Sequence, residues 1–260
     1  MLTQAERQQC VDTLLEANRT KVQTTRPSAL FPNIEFDDAY AISAEVAKQQ
    51  QADGAKLIGY KVGLTSVAMR RSSKIDEPDY GYLYEHFMVA DGSKVSHSDY
   101  CTPRVEPELA FVLAESLKGP GVRLLDVMRA TEYIIPSIEI IDTRVDEPRK
   151  IYDTISDNGA GAGIILGGRP IRPNDVDLRM VPGILYRNAD IEETGLACAV
   201  MNHPANGIAW LANKLAELDI SLKAGDIMLS GSFTRPVWAE VGDTIRADFG
   251  ELGSVSVQFT

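Results

Sequence analysis

Two apolar runs, residues 105–113 (Val-Glu-Pro-Glu-Leu-Ala-Phe-Val-Leu) and 133–141 (Tyr-Ile-Ile-Pro-Ser-Ile-Glu-Ile-Ile), carry three carboxylates between them. β-Branched, aromatic and aliphatic residues dominate both runs, and a Gly119-Pro120-Gly121 turn follows the first. Both are therefore predicted strands. In a strand, side chains two apart share a face, so Glu106 and Glu108 stand side by side. Like charges that close raise each other's pKa unless a cation sits between them. Glu139 lies in an otherwise apolar setting, where an unpaired carboxylate is costly. Three carboxylates meeting at one point suit a hard divalent ion such as Mg²⁺ or Mn²⁺, which prefers oxygen ligands and leaves positions for water or substrate. Without tertiary information, the Glu106–Glu108 pair by itself better fits a solvated strand face, and Glu139 also fits a salt-bridged core position.

The remaining composition narrows the classes. A chain of 260 residues suffices for one large domain with a real core. Its net charge of −11 argues against nucleic acid or an anionic membrane surface as partner. An anionic small substrate is compatible with that charge only if the site brings its own local cation. No run of apolar residues is long enough for a transmembrane helix, and the N-terminus lacks the pattern of a signal peptide. Cys10, Cys101 and Cys198 are widely spaced and form no Cys-x-x-Cys pair. Reduced thiols in a cytoplasm are the expectation.

The chain is predicted to be α+β. Residues 3–20 and 39–51 have helical spacing, the second opened by Asp37 and Asp38 and closed by Gly54. Residues 1–55 form an N-terminal helical part. Residues 56–260 form a β-rich body that coils into a roll or mixed sandwich, and no linker or repeat divides this single catalytic unit. The body begins with a strand, a Gly turn and a helix capped by Thr65 or Ser66 over residues 56–66. Lys61 lies there between apolar residues and the turn, a position in which burial would lower its pKa; the alternative is an exposed strand-edge lysine. Residues 77–81 (Glu-Pro-Asp-Tyr-Gly) carry a turn signature. Residues 124–130 read as a short helix, and 204–218 as a longer one with Ile208, Leu211, Ala212 and Leu215 on one face. Residues 153–163 form a Gly-rich loop before the strand 164–166, without a Gly-Lys-Ser/Thr or dinucleotide fingerprint. A hairpin is predicted over 182–186 and 192–200, and strands over 226–230, 244–249 and 254–259.

Several of these segments together resemble a known family. They are residues 61–66 (Lys-Val-Gly-Leu-Thr-Ser), 77–81, 106–113, 138–142 (Ile-Glu-Ile-Ile-Asp), 153–158 (Asp-Thr-Ile-Ser-Asp-Asn), 167–171 (Gly-Gly-Arg-Pro-Ile), 202–215 and 231–236 (Gly-Ser-Phe-Thr-Arg-Pro). They resemble, in order and over nearly the whole chain, the hydratase/decarboxylase family of meta-cleavage pathways, within the fumarylacetoacetase-like superfamily. The resemblance implies the fold of the fumarylacetoacetase C-terminal domain. It implies Mg²⁺ or Mn²⁺ on Glu106, Glu108 and Glu139, with Lys61 and Asp79 flanking the substrate. It also implies substrate contacts from Ser156, Asn158, Ser232, Thr234 and Arg71. Pro107 departs from the aliphatic residue expected between the glutamates; proline suits a strand edge or bulge. The segment after Arg144 looks shorter than in relatives.

The implied activity is addition of water to the double bond of an unsaturated 2-oxo acid. Lys61 would shuttle protons, with its pKa pushed down, while Asp79 orients Lys61 or activates water. A second, distal substrate carboxylate needs a cation, for which Arg70, Arg71, Lys74, Arg169 and Arg235 are candidates. Decarboxylation at the same metal site is the nearest alternative, and hydration of a shorter monocarboxylate another. An acylpyruvate-type hydrolase would need a histidine to activate water, and the chain has only His86, His97 and His203. A non-enzymatic accessory subunit is a further alternative. The family also implies a homo-oligomer of pentamer-based symmetry, a pentamer or decamer, and association with a pathway decarboxylase or aldolase.

Overall fold

The computed structural model describes residues 1–73 and 75–260, and only the backbone of residues 72 and 73. The N-terminal part contains α1 (Gln4–Thr20), α2 (Pro27–Leu30) and α3 (Phe36–Ala52). Thr3 and Glu6 form a capping box that starts α1. Glu35 and Asp38 do the same for α3, which is why it begins before the predicted residue 39. Cys10, Val11 and Leu14 of α1 meet Ile42 and Val46 of α3 in a small core of their own.

The body continues with β1 (Leu57–Gly63), α4 (Val67–Ser73), β2 (Asp79–Tyr84), β3 (Met88–Ala90) and β4 (Ser93–Val95). Next come β5 (Arg104–Leu113), α5 (Leu124–Ala130), β6 (Thr131–Ile141), α6 (Ile151–Ser156) and β7 (Gly161–Leu166). The chain closes with β8 (Pro182–Arg187), β9 (Asp190–Leu196), α7 (Pro204–Ala216), β10 (Ile227–Leu229), β11 (Val237–Trp238), β12 (Thr244–Asp248) and β13 (Ser254–Phe259).

One mixed sheet runs β2-β1-β10-β5-β6-β7-β3, with β11 also on β5, and a second runs β4-β13-β12-β8-β9. Apolar residues of both, among them Ile138, Ile140, Ile165, Leu185, Val255 and Val257, share the main core. This is the predicted α+β arrangement, with a curled pair of sheets and helices against them. Among the described residues, no helix is long and apolar enough to cross a membrane.

Three local readings change. The 77–81 turn is shorter than predicted, because Asp79 already pairs with Gly63 as the first residue of β2. The first half of the predicted Gly-rich loop is the helix α6, whose Asp153 accepts from Lys150 N. The second hairpin strand stops at Leu196, and residues 197–199 turn away. Pro107 sits on an interior strand rather than at an edge. Its carbonyl accepts from Phe233 N at 3.4 Å on the side where β10 has ended and β11 has not begun. A residue's N–H and C=O point to the same side of a strand, so the N–H that proline lacks would face this gap and no ladder bond is lost.

Candidate active site

β5 and β6 run antiparallel, and their register places Glu106 opposite Glu139 and Glu108 opposite Ser137. Directly opposed residues in such a ladder have Cβ atoms about 5 Å apart, and Glu108 is the next residue along on the same face. Oxygens of the three carboxylates all lie within 4.8 Å of one another. Gly231, held at φ +112° where only glycine is comfortable, donates its N–H to Glu108 Oε2 at 2.8 Å.

Lys61 comes from β1, an interior strand between β2 and β10. It is only 3% exposed, which rules out the strand-edge alternative. Its Nζ donates to Gly159 O at 2.9 Å and lies 3.4 Å from Glu139 Oε1. The acceptor is presented by a tight turn in which Asn158, Gly159 and Ala160 all have positive φ. For Ala160, at φ +61°, that is a strained conformation, held by Ala160 N to Asp157 O and Asp142 N to Ala160 O. The buried Arg144–Asp157 pair braces the turn from behind, with Arg144 Nη2 also donating to Asp157 O at 2.8 Å.

Asp79 is 1% exposed and its Oδ1 has no hydrogen-bond partner. A Cβ on Gly63 would stand 2.1 Å from Asp79 Oδ1 and 3.1 Å from Lys61 Nζ, so only glycine leaves these groups room. Both face a cavity of about 200 Å³ that is also lined by Glu106, Glu108, Thr65, Ser232 and Thr234.

Both oxygens of the fully buried Glu139 lack a hydrogen bond, the nearby Lys61 being in ion-pair contact only. A buried carboxylate pair of lone partners is costly unless a cation takes it up. Three such oxygen donors fit a hard divalent cation. Burial, followed by the neighbouring carboxylates, pushes Glu108 well above the ordinary carboxyl range. Burial likewise takes Glu139 from 4.5 to about 7, Glu106 adding to it and Lys61 opposing. Burial alone would lower the pKa of Lys61, but Glu139, Asp79, Glu106 and Glu108 outweigh it and raise the ammonium above its usual value. This corrects the predicted direction for the protein groups by themselves, because the anionic ring around Nζ is larger than sequence spacing reveals.

A pH dependence follows. Glu139 has a folded pKa above its unfolded one, so between 4.5 and about 7 the folded state holds the extra proton. Stability therefore falls as pH rises through that window, by on the order of 3 kcal/mol for this group. Chelator-treated protein is expected to melt lower at about pH 8 than at about pH 5, and saturating Mg²⁺ should reverse the order by favouring the ionised carboxylates. Differential scanning calorimetry at the two pH values reads this directly.

The other expected substrate contacts divide. Ser232 and Thr234 line the cavity. Ser156 and Asn158 do not: Ser156 is buried behind the turn, and Asn158 is occupied in clamping it to β2 through Tyr82 N (2.7 Å) and Tyr82 O (3.1 Å). Arg71 is exposed on α4, and Arg70 caps the carbonyls of Leu64 and Thr65. Arg169 is exposed, Arg235 pairs with Glu193, and Lys74 lies outside the described residues. Two arginines that were not anticipated, Arg104 and Arg149, do line the cavity. Arg104 stands two residues before Glu106, so strand alternation could have found it had the predicted strand begun one residue earlier. Nothing in the sequence around Arg149 marks it. None of the three histidines lines the cavity; His203 instead caps α7, its Nδ1 accepting from Ala205 N at 3.1 Å.

A carboxylate trio on paired strands, a buried lysine beside it and this pair of curled sheets define a class. The chain belongs to the hydratase/decarboxylase family. It is 51% identical over 251 residues, 94% of each chain, to 2-oxo-hept-4-ene-1,7-dioate hydratase of Escherichia coli. To 4-oxalocrotonate decarboxylase of Pseudomonas putida it is 36% identical, over 88% of this chain and 87% of that one. The solved structure of 4-oxalocrotonate decarboxylase from Pseudomonas putida G7, complexed with magnesium and adipate, superimposes with a TM-score of 0.96 at 33% identity, covering 100% of this chain and 99% of that one. Fumarylpyruvate hydrolase from Pseudomonas aeruginosa, in complex with Mn²⁺ and pyruvate, shares the fold at a TM-score of 0.62 and 16% identity, over 77% of this chain and 88% of that one. No family model matches the chain.

Proposed function

We propose that the chain is a hydratase that converts 2-oxo-hept-4-ene-1,7-dioate to 4-hydroxy-2-oxoheptane-1,7-dioate, using Mg²⁺ or Mn²⁺. The observation that carries this reading is the convergence of Glu106, Glu108 and Glu139 beside the buried Lys61 in one small cavity. Glu106, Glu108 and Glu139 would hold the ion, which when bound supplies Lewis acidity toward the 2-oxo acid. Neutralising these glutamates also relaxes their hold on the Lys61 proton, so that burial, which lowers its pKa, gains weight. Lys61 Nζ then takes a proton from C3 of the substrate and returns one at C5, moving the double bond into conjugation with the ketone. Water adds its oxygen at C4, and C3 receives the remaining proton. Asp79, buried beside Lys61 with a free Oδ1, orients Lys61 or receives the proton of the attacking water. Ser232 and Thr234 border the substrate from the 231–236 loop. The working assembly in this reading is a pentamer-based homo-oligomer that associates with a pathway decarboxylase or aldolase.

The test is product analysis. Purified protein with Mg²⁺ and the dioate should yield a product heavier by one water, followed by mass, and chelator should stop it. Loss of CO₂ in place of water addition would move the chain to the decarboxylase branch. No change would overturn the functional reading.

A further inference from the structure

At one end of the cavity, Arg104 and Arg149 meet on a single hydroxyl. Arg104 Nη2 lies 3.3 Å and Arg149 Nη1 2.9 Å from Thr143 Oγ1. Arg104 is fixed by its guanidinium, which stacks 4.9 Å from the Trp238 ring. Its Nε is buried and has no hydrogen-bond partner. Arg149 is held by Glu147 at 2.8 Å, and that carboxylate is itself largely exposed. Two guanidinium charges thus share one neutral acceptor and one solvated counter-charge. Of the other carboxylates nearby, Glu106 belongs to the metal ligands, and Asp142 already accepts from Cys101 N, Thr102 N and Thr143 N. Burial and then the charge of Arg149 both push the Arg104 guanidinium below its usual pKa, as expected for a pair of cations short of an anion.

The spacing fits a ligand of definite length. Arg104, Glu106 and Glu108 alternate along one face of β5, so the Cα atoms of Arg104 and Glu106 lie about 7 Å apart along the strand. In an extended seven-carbon 2-oxo dioate, the five carbon–carbon bonds from C2 to C7 span about 6 Å. We infer that Arg104 and Arg149 bind the distal carboxylate of the substrate and set the preference for a dioate over a monocarboxylate. The inference rests on the hydratase reading for its substrate. Among the described residues it puts two cations that face the site in place of Arg70, Arg71, Arg169 and Arg235.

The test compares the dioate with 2-oxohex-4-enoate, which ends in a methyl group. Arg149→Met should raise the KM for the dioate and reduce the dioate-to-monocarboxylate ratio of kcat/KM by about 20-fold, the size expected for losing charged hydrogen bonds. Arg149→Lys should restore part of that ratio. Arg104→Lys, which keeps a cation over Trp238, should also lower it. Calorimetry with the unreactive 2-oxoheptanedioate and 2-oxohexanoate in Mg²⁺ should show the same loss of preference. If the wild-type protein turns over neither substrate, the hydratase reading falls, and the calorimetric preference then decides the arginine assignment by itself. An unchanged preference in both Arg149→Met and Arg104→Lys, with wild-type melting temperatures, would overturn it.

Discussion

Glu108→Gln is expected to remove Mg²⁺ binding and lower kcat/KM by about a thousandfold or more, the scale of losing a principal electrostatic element of a buried site. The substitution is isosteric, and its amide oxygen still accepts from Gly231 N, so the 231–236 loop should stay in place. It also removes one of three mutually repelling carboxyls, two buried and one half-buried, all raised above their usual range. The chelated variant should therefore be at least as stable as chelated wild type. Wild type should gain about 2.7 kcal/mol of stability at a Mg²⁺ concentration a hundred times its Kd, and the variant nothing. Thermal melts with and without Mg²⁺ separate these effects. A variant that still shows the Mg²⁺-dependent rise would remove Glu108 from the metal site.

Lys61→Met has a different signature. Methionine fills similar space but holds no proton, so kcat should fall by about 10²–10⁴-fold, the range for a positioned acid–base group. Mg²⁺ affinity should be kept or tightened, because the ammonium that lies 3.4 Å from Glu139 no longer competes for the same carboxylate. Calorimetry for the metal and steady-state kinetics for turnover make the distinction. A kcat within tenfold of wild type would show that Lys61 is not the proton-transfer group. The two variants together separate loss of the metal from loss of the proton relay.

Some of this was present in the linear chain. Strand alternation put Glu106 and Glu108 on one face, and helical spacing located α1, α3 and α7, because these patterns depend only on neighbouring residues and a fixed backbone period. The ordered motifs identified the family. Other parts needed the third dimension. The pairing of Glu106 with Glu139 is a register between strands far apart in sequence, and a slip of one residue would turn Glu139 to the opposite face. The burial of Lys61 depends on the 158–160 turn folding back over its side chain, and its acceptor is a carbonyl in that turn, which Arg144 and Asp157 hold in a strained form. Asn158 looked like a substrate contact because it sits in a family motif, yet its amide is used to fasten that turn to β2. Arg149 reaches the cavity from the segment before α6 and meets Arg104 across Thr143, a coincidence of side chains that no local period encodes. The sequence by itself determined which residues alternate, cap and turn. Only tertiary packing decided which charges share one desolvated space, because that depends on register and on which loops fold back over the sheet.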